Sequence, residues 1–548
     1  MTRMTKSTCM TVALAVASLS LPVHAQQISE ARIQDLIRVA AERVASGQAA
    51  APGGQAPAPA VVDTRPVVRL TLDDVVKFAL DRNLDIAVQR LNPQINDIAI
   101  SSARAIYIPV LGSTLATQST TTASTTNISG GAAGAPVIAG LTQYNGTIAQ
   151  SVPWGGGNFL GTLNNNKATT TNNTAFYNPT FNSTWTFQFT QPVLRNFHID
   201  STRQTLRVAI LTRDISDVQL RALITNTLSN VRNAYWDYVF SVQAVEVARQ
   251  SVTLAGKLVD DNQTRVQVGT MAPLAVVTAQ AQAAVAQQAL VLAIGTQRAN
   301  ELALKRLIVS GTNDPNWGAQ IDPTDRPDFQ PEAIDIDAAV RRALSQRTDL
   351  DITKKSIESN DVTLRYLKDQ TLPQADVVAN YGLNGVGGTI LKTGLGSYGD
   401  TWSSLFGANN PRWTVQMNFS YPLGLNAARA SVARAQVQLS QVQAQLSQQQ
   451  LQVATEVTNA AINAQSGAEA VTAAIASRVL SQRQLDAEQS KFEVGMSTNY
   501  FVVQAQNNLA TAQNSELRAI LNYRKALVEL ERLQQTTLQN LNITVVGR

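Results

Sequence analysis

The stretch that decides the fold is "KFEVGMSTNYFVVQAQ", residues 491–506, because the chain has a similar stretch earlier. Residues 265–280 read "RVQVGTMAPLAVVTAQ". Both carry Val-Gly after a long helical pattern, then a few turn-like residues, then an apolar run ending in Ala-Gln. Glycine enters the backbone conformations of a sharp turn at little steric cost. The repetition predicts that the chain makes the same turn twice, at Gly269 and Gly495.

Long helical patterns flank both turns. Residues 197–268 would form about 108 Å of helix at 1.5 Å per residue, and residues 427–494 form the matching segment. The segments 68–108 and 271–310 are each little more than half as long, so the two placed end to end match one long helix. We therefore expect two long helical hairpins, with Gly269 and Gly495 at their far tips.

The helices have coiled-coil character. Apolar or small residues follow a 3-4-3-4 spacing in the second long segment, at Val432, Ala435, Leu439, Val442 and Leu446. This is the spacing of a heptad seam, along which helices pack side by side.

The chain is also duplicated outside the turns. "LTLDDVVKFALDRNLDI" from Leu70 matches "IDIDAAVRRALSQRTDL" from Ile334 at an offset of 264 residues. Pro109 and Pro373 match at the same offset, and proline there ends a helix and opens a strand. "TQPVL" and "SYPLG" then place Pro192 and Pro422 at corresponding strand ends. The interval from proline to proline is 83 residues in the first half and 49 in the second, so the first half has 34 extra residues in its strand region.

The strand segments alternate with period two. Aromatic and apolar residues share one face and uncharged polar residues the other, as in Trp413, Val415, Met417, Phe419 and Tyr421 against Thr414, Gln416, Asn418 and Ser420. The segment from Trp185 behaves alike. This pattern suits a wall with lipid on one side and water on the other, which must be a closed barrel. The alternative is a half-buried strand of a soluble sheet.

Two further segments have no clear functional pattern. Residues 144–166 look like another hairpin around 153–157, which could join the wall or extend an outside loop. The Gly-rich "NGVGGTILKTGLG", residues 384–396, lacks the Gly-Lys-Ser/Thr ending of a phosphate loop. We expect a flexible loop there.

Composition indicates an exported protein without enzymatic chemistry. Residues 1–25 carry Arg3 and Lys6, a short apolar run and a small-residue cleavage site, as a signal peptide does. Removing them takes Cys9, the only cysteine, and leaves His198 as the only histidine. A Cys-His pair or a zinc cluster is then excluded, and we expect no catalytic residue, cofactor or metal. No apolar run is long enough to predict a transmembrane helix.

These residues together resemble the TolC-like outer membrane efflux proteins. The resemblance runs from about Leu70 to about Gln535 and rests on the duplicated "ALDRNLD" and "ALSQRTD", the paired prolines, and "KFEVGMSTNYFVVQAQNNLATAQ". It implies a mostly α protein with a membrane β-barrel. Three copies would each give four strands to a twelve-stranded barrel, which a coiled-coil helical tunnel continues into the periplasm.

The resemblance also implies partners and site residues. The helical tips would dock onto a periplasmic adaptor (a membrane fusion protein) and an inner-membrane pump, through Val268, Gly269, Thr270, Met271, Val494, Gly495, Met496 and Ser497. In some members of the family, two aspartates just past the second tip line a ring around the closed entrance. The matching positions here are Ala275, Thr278, Phe501 and Gln504, so this chain departs from the acidic pattern, and a cation site at the entrance is in doubt. Phe501 is equally well explained as coiled-coil core.

We divide the chain on this basis into six segments: 1–25, signal peptide; 26–66, extension and flexible linker; 67–313, first repeat; 314–333, segment between the repeats at the middle of the tunnel; 334–538, second repeat; 539–548, tail. The predicted function is the passive outer-membrane exit duct of a tripartite efflux or type I secretion system in a Gram-negative bacterium. The residues do not separate drug efflux from protein secretion. The alternative is a soluble periplasmic coiled-coil adaptor or scaffold, which would not need aromatic-faced strands in both halves.

Overall fold

The computed structural model describes residues 38, 65–124, 135–326, 329–421, 423 and 426–543. The predicted signal peptide, nearly all of the extension 26–66, the end of the tail and Pro422 lie outside the described residues.

The first repeat runs from short helices through strands to a long helical hairpin. Its elements are β1 (Val67–Leu70), α1 (Leu72–Arg82), α2 (Leu84–Gln89), α3 (Leu91–Ala105), β2 (Val110–Thr122), β3 (Val137–Ser151), β4 (Asn158–Thr170), β5 (Tyr177–Pro192), α4 (Ser201–Gln267) and α5 (Pro273–Ile308).

The segment between the repeats and the second repeat follow in the same order. Their elements are α6 (Pro315–Gly318), β6 (Gln320–Pro323), α7 (Ile336–Gln346), α8 (Thr348–Asp369), β7 (Gln374–Ile390), α9 (Tyr398–Phe406), β8 (Pro411–Ser420), α10 (Ala427–Glu493), α11 (Asn499–Gln534) and α12 (Thr537–Asn540).

The duplication read from the sequence is confirmed by element lengths. Helices α1 and α7 have 11 residues each and begin at an offset of 264 residues. Helices α4 and α10 have 67 residues each, and α5 and α11 have 36 each, both pairs at an offset of 226. Each repeat therefore ends in the same hairpin of one long and one short helix.

The first helical stretch is broken where the sequence predicted continuity over 68–108. Asn83 ends α1 in an extended conformation, and its Oδ1 accepts the amides of Asp85 and Ile86 at 3.0 and 3.1 Å, which starts α2. Its Nδ2 donates to the Leu307 carbonyl at 3.0 Å. An amide side chain that caps a helix favours the end of one helix and the start of the next.

The six long strands form one antiparallel sheet in the order β2-β3-β4-β5-β7-β8. The hairpin expected near 144–166 is β3–β4, and it lies inside the sheet rather than in an outside loop. The expectation of four strands per chain is therefore wrong. The reason is the first-half insertion, whose two strands pair continuously with β2 on one side and β5 on the other.

The two faces of the sheet differ as the alternation predicted. Cross-strand partners in an antiparallel pair share a face, so the register places one set of apolar residues together: Leu111, Ile148, Phe187, Tyr381 and Trp413. Thr, Asn and Gln dominate the other face. The described sheet thus separates an apolar aromatic surface from a mostly polar one, on which Asp376 of β7 and Arg412 of β8 also lie.

The sequence predicted a flexible loop for the Gly-rich residues 384–396. The structure corrects this prediction, because β7 runs to Ile390 and includes the first part of the segment. Helix α9 packs on this strand, and a Cβ at Gly385 would meet the Thr401 carbonyl oxygen at 2.1 Å. Gly385 and Gly387 therefore allow α9 to approach β7 closely, and do not indicate a flexible chain.

The core at the middle of the helices joins the first repeat to the segment between the repeats. Strand β1 pairs in parallel with β6. The fully buried Tyr235 on α4 donates to Asp325 Oδ2 at 2.8 Å. Burial, followed by the neighbouring Asp325 carboxylate, raises the pKa of the Tyr235 phenol well above its usual range. This arrangement fixes the linking segment against α4.

Helix α5 is long and apolar enough to cross a membrane by length and composition alone, although the sequence predicted no such helix. It pairs along α4 as the returning arm of the first hairpin. Its composition is rich in Ala and Val but interrupted by Gln and Thr, as small-residue coiled coils are.

Candidate docking tips, entrance and lateral edges

Both hairpin tips are built by the same backbone motif. Gly269 has φ +79° and Gly495 has φ +78°. The Gly269 amide donates to the Val266 carbonyl at 3.0 Å, and the Thr270 amide to the Arg265 carbonyl at 2.9 Å. Gly495 and Met496 repeat this pair of bonds to Phe492 and Lys491 at 3.2 and 2.8 Å. This is the Schellman ending, which satisfies the last carbonyls of a helix and needs a left-handed residue.

The two tips also contact each other. The Arg265 guanidinium stacks over the Phe492 ring at 4.3 Å from its centroid, and Nη1 donates to the Phe492 carbonyl at 3.1 Å. Asn499 Nδ2 donates to the Ala275 carbonyl at 3.3 Å. The four helices of the two hairpins therefore end as one unit.

A small apolar core lies just behind the tips. It contains buried residues from all four helices, namely Leu258, Ala279, Leu485, Phe492, Val502, Ala505 and Leu509. Its burial holds the turns at a fixed distance from each other, because apolar surface removed from water stabilises the packed arrangement.

Beyond this core, the tip surface is apolar and exposed. Of the eight tip residues predicted from the sequence, six are exposed, whereas Met271 packs on the tip core and Ser497 is half-buried. Val268, Val494 and Met496 are 68%, 71% and 80% exposed in the single chain. Clustered exposed apolar side chains on a polar helix bundle are typical of a protein–protein contact surface.

Charged groups brace the second tip. Glu488 accepts from Lys491 Nζ and from Ser497 Oγ, each at 2.7 Å. The hydrogen bond from Lys491, with that from Ser497, lowers the pKa of the Glu488 carboxyl below its usual value. This network ties the last turn of α10 to the turn residues.

The four entrance candidates lie on the first turns of α5 and α11. Phe501, Gln504 and Thr278 are exposed in the single chain, and Ala275 is half-buried. Phe501 is 54% exposed while its neighbour Val502 is buried at 1%. The intrachain core therefore uses Val502, whereas more than half of the Phe501 side chain is exposed and its ring contacts the neighbouring Tyr500.

The helices that carry the four entrance candidates have little charge near these residues. Residues 273–300 include a single charged residue, Arg298, and residues 499–515 include none. Within the described residues, no group of three or more His, Cys, Asp or Glu side chains could hold a metal ion.

The proline positions fall where helices and strands meet. Pro109 lies between α3 and β2, and Pro373 between α8 and β7. Pro192 is the last residue of β5. Pro422 lies outside the described residues. At this junction the Asp369 carboxylate accepts the Asn196 amide at 2.5 Å, which links the two repeats where the sheet begins.

The sequence analysis missed an apolar stripe on one lateral edge of the helices. Leu84, Val88, Leu91, Ile95 and Ile98 follow a 4-3-4-3 spacing on α2 and α3, and all are more than half exposed. This is a heptad seam without a partner helix in the described chain. The signal was present in the sequence as an apolar 3.5-residue period.

The opposite lateral edge is formed by α10. The helices contact one another in the order α3-α4-α8-α10 near the sheet and α5-α4-α11-α10 near the tips. Strand β2 continues from α3 and β8 leads into α10, so the edges of the sheet lie over the edges of the helical layer.

Comparison with known families gives one family-level match. The sequence model described as "Outer membrane efflux protein" matches residues 158–309 and 339–534. The two matched segments fall in the two repeats. Comparison with curated proteins gave no significant match.

Solved structures share the fold at low sequence identity. A membrane protein from Pseudomonas aeruginosa is 15% identical with a TM-score of 0.61, covering 84% of this chain and 90% of that one. The CmeC outer membrane channel of Campylobacter jejuni is 14% identical with a TM-score of 0.60, covering 86% and 88%. The outer membrane protein VceC of Vibrio cholerae is 14% identical with a TM-score of 0.59, covering 84% and 95%.

Proposed function

Because the chain belongs to the outer membrane efflux protein family, we propose that it is the passive exit duct of a tripartite efflux or type I secretion assembly. It sits in the outer membrane of a Gram-negative bacterium, and its helices project into the periplasm. Transport energy comes from an inner-membrane pump, and the duct itself carries out no chemistry.

The observation that carries this proposal is the matched pair of open lateral edges. One side of the chain presents β2, the apolar stripe of α2 and α3, and exposed valines of α5 such as Val277 and Val285. The other presents β8 and α10, with exposed Val437 and Leu451. Surfaces that differ on the two sides suit head-to-tail contacts, which close into a ring. Three copies are the number that the family resemblance implies.

The sheet supports a position in the membrane. Its apolar aromatic face would contact lipid and its Thr, Asn and Gln face the water-filled interior. Ring closure would give the backbone groups of β2 and β8 partners, which a sheet in lipid requires. A soluble adaptor would have to cover this apolar face, and the described chain has no element that does so apart from α9 at one end.

The tips support the partner assignment. The exposed Val268, Val494 and Met496 stand at the end farthest from the sheet, on turns that the Arg265–Phe492 contact holds together. We assign this surface to a periplasmic adaptor. The uncharged start of α5 and α11 lies directly behind it and forms the entrance.

Fractionation of expressing cells tests the proposal. We expect the mature chain in the outer membrane as a trimer, measured by native mass spectrometry after detergent extraction. Ile95→Glu, which charges the lateral stripe, should lower trimer recovery severalfold. Ser101→Glu adds the same charge at an exposed position of α3 about a quarter of the way round the helix from the stripe, and should leave the trimer intact. Recovery as a soluble periplasmic protein would overturn the duct.

A further inference from the structure

We propose that each copy contributes six strands to the outer-membrane wall, so that three copies close an eighteen-stranded barrel about as wide as the helical layer beneath it. This inference rests on the proposed trimeric duct and concerns its outer part. It departs from the twelve strands that the family resemblance implied.

The inserted hairpin is continuous with the rest of the sheet. Strand β3 pairs with β2 from Val110 to Thr122, and β4 pairs with β5 from Asn158 to Ala168. The hairpin turn after Ser151 lies at the helix side of the sheet, where the Val152 amide donates to the Gly157 carbonyl at 2.8 Å. Both strands therefore run the full height of the sheet.

The inserted hairpin has the same two faces as the strands around it. Tyr144, Ile148, Phe159 and Leu163 lie on the face of Trp185, by their cross-strand partners. Gln143, Asn145, Thr147, Thr162 and Asn164 lie on the other. Lys167 is the one charged residue of β4 on the apolar face. It stands nine residues from the start of the strand, which is about 23 Å up the wall for a tilt of about 40° and near the top of an apolar band of about 25 Å.

The strands of the sheet are staggered, which matters because a barrel closes only when its strands tilt. Successive cross-strand pairs place Leu111 of β2 level with Trp413 of β8. In β2, the strand end nearest the helices is Val110, one residue from Leu111. In β8, the strand end nearest the helices is Ser420, seven residues from Trp413. The difference of six residues is about 20 Å across about 24 Å of sheet. That is a tilt of about 40°, within the roughly 35–45° of closed barrels.

The width of six strands matches the width of the helical layer beneath them. Six strands at this tilt span about 38 Å of circumference, and four would span about 25 Å. The helical layer of one copy has four helices side by side, α3, α4, α8 and α10. At 8–10 Å between axes they span about 32–40 Å. Six strands therefore continue the helical layer without narrowing, and a trimeric wall would be about 36 Å across between backbones rather than about 24 Å.

The strand directions permit this closure. β2 leads away from the helices and β8 leads back to them. In a ring of copies with the same orientation, β2 of one copy meets β8 of the next in antiparallel directions, which is the pairing that a closed antiparallel barrel needs. The wall then does not narrow the duct where the helical layer meets the sheet.

Distance measurements between copies test the width. Cys9 is the only cysteine of the chain and lies in the predicted signal peptide, so Val415→Cys gives one spin label per copy on the exposed apolar face of β8. Eighteen strands would place the three Cα atoms about 31 Å apart, and twelve strands about 21 Å. Because a label offset enlarges both values equally, the expected result is a distance about 10 Å longer than a twelve-stranded wall allows.

Accessibility of the hairpin tests its place in the wall independently. In the outer membrane, Thr147→Cys should react with a bulky water-soluble maleimide. Ile148→Cys should be protected, and a fluorophore on it should be quenched by nitroxide-bearing lipid. Thr186→Cys and Phe187→Cys on β5 are the matched control, because they lie level with the first pair on a strand that both barrel sizes contain.

The outcomes separate this inference from the proposed function. Alternation in both pairs together with the longer distance supports eighteen strands. Alternation in β5 alone, or the shorter distance within an intact trimer, overturns the wide wall and leaves the duct standing. Absence of a membrane trimer, or equal water accessibility at all four cysteines, overturns both.

Discussion

Arg265 of the first repeat stacks on Phe492 of the second, with the guanidinium carbon 4.3 Å from the ring centroid. The same guanidinium donates to the Phe492 carbonyl at 3.1 Å. One side chain thus joins the two turns that the sequence predicted as separate tips. Because Phe492 is buried in the tip core and Arg265 caps it, the tip surface behaves as one unit composed of both repeats.

Removing this contact should loosen the tips and leave the body of the chain unchanged. Arg265→Gln loses a cation–π contact and a charge-assisted hydrogen bond, together about 1–2 kcal/mol. We expect faster amide hydrogen exchange at residues 265–271 and 491–497, by about tenfold for 1.4 kcal/mol. Arg298→Gln removes the same charge from the exposed side of α5 and should leave these amides unchanged. Equal exchange in the two variants would contradict the role of the contact.

The second prediction concerns the left-handed backbone conformation of the tip residue Gly495. A Cβ at Gly495 would meet no atom within 4 Å, so any effect of substitution comes from its φ of +78°. Gly495→Val therefore costs about 1–3 kcal/mol of local backbone strain. Export should fall, with the trimer still recovered from the outer membrane.

Gly295 supplies the control for that experiment. It lies inside α5, also with open space around it, and Gly295→Ala should improve helix propensity by up to about 1 kcal/mol. Export by this variant should equal that of the unmodified chain. Normal export by Gly495→Val would contradict the proposed docking role of the tip.

A third prediction concerns a buried ion pair near the middle of the helices. Lys305 Nζ lies 2.7 Å from Glu301 Oε1, both side chains are at most 5% exposed, and Lys305 also donates to the Ala319 carbonyl. Lys305→Met removes the ammonium group beside the buried Glu301 carboxylate and should destabilise the chain by about 3–5 kcal/mol. The double variant Glu301→Gln with Lys305→Met should recover at least half of that loss. Thermal unfolding of the detergent-solubilised trimer measures both, and additive effects would contradict the pairing.

The sequence predicted the helical hairpins well, because their determinants are local. A glycine turn, a heptad period and a proline at a helix end each act over a few residues. The repeated turn at Gly269 and Gly495 therefore gave the positions of both tips. The break at Asn83 escaped prediction, since its side chain both starts α2 and bonds to Leu307, a residue distant in sequence.

The sheet was predicted less completely for the opposite reason. Alternation at residues 144–166 indicated strands, but strand order depends on long-range pairing, which no local pattern specifies. Gly385 and Gly387 looked like loop residues because the helix α9 that packs against them comes later in the chain. The lateral stripe from Leu84 to Ile98 could have been found from its period, but its exposure is a property of the folded chain.

The fourth prediction is a pH dependence at the second tip. The Lys491 hydrogen bond, with that of Ser497, depresses the pKa of Glu488 below its ordinary value of 4.5. A carboxyl with a depressed folded-state pKa stabilises the fold above its unfolded pKa and loses this stabilisation as the pH falls through the folded value. The tip turn should therefore be firm at pH 7 and loosen below about pH 4.5. Amide exchange at 494–498, corrected for its intrinsic pH dependence, should show this loss in the unmodified chain and not in Glu488→Gln.

The last prediction concerns the uncharged entrance. Residues 499–515 carry no charge and 273–300 only Arg298, so nothing in these segments would concentrate polyvalent cations in the proposed ring. Trivalent cations should leave the conductance of the unmodified duct in planar bilayers nearly unchanged.

Gln504→Asp would place three carboxylates close together at the entrance of a trimer, where their fields add and attract such ions. A severalfold conductance block is expected in this variant. Gln448→Asp adds the same charge on an exposed part of α10 far from the tip and should show none. A block of the unmodified duct at the same concentration would contradict the assignment of Phe501 and Gln504 to an entrance narrowed by neutral side chains.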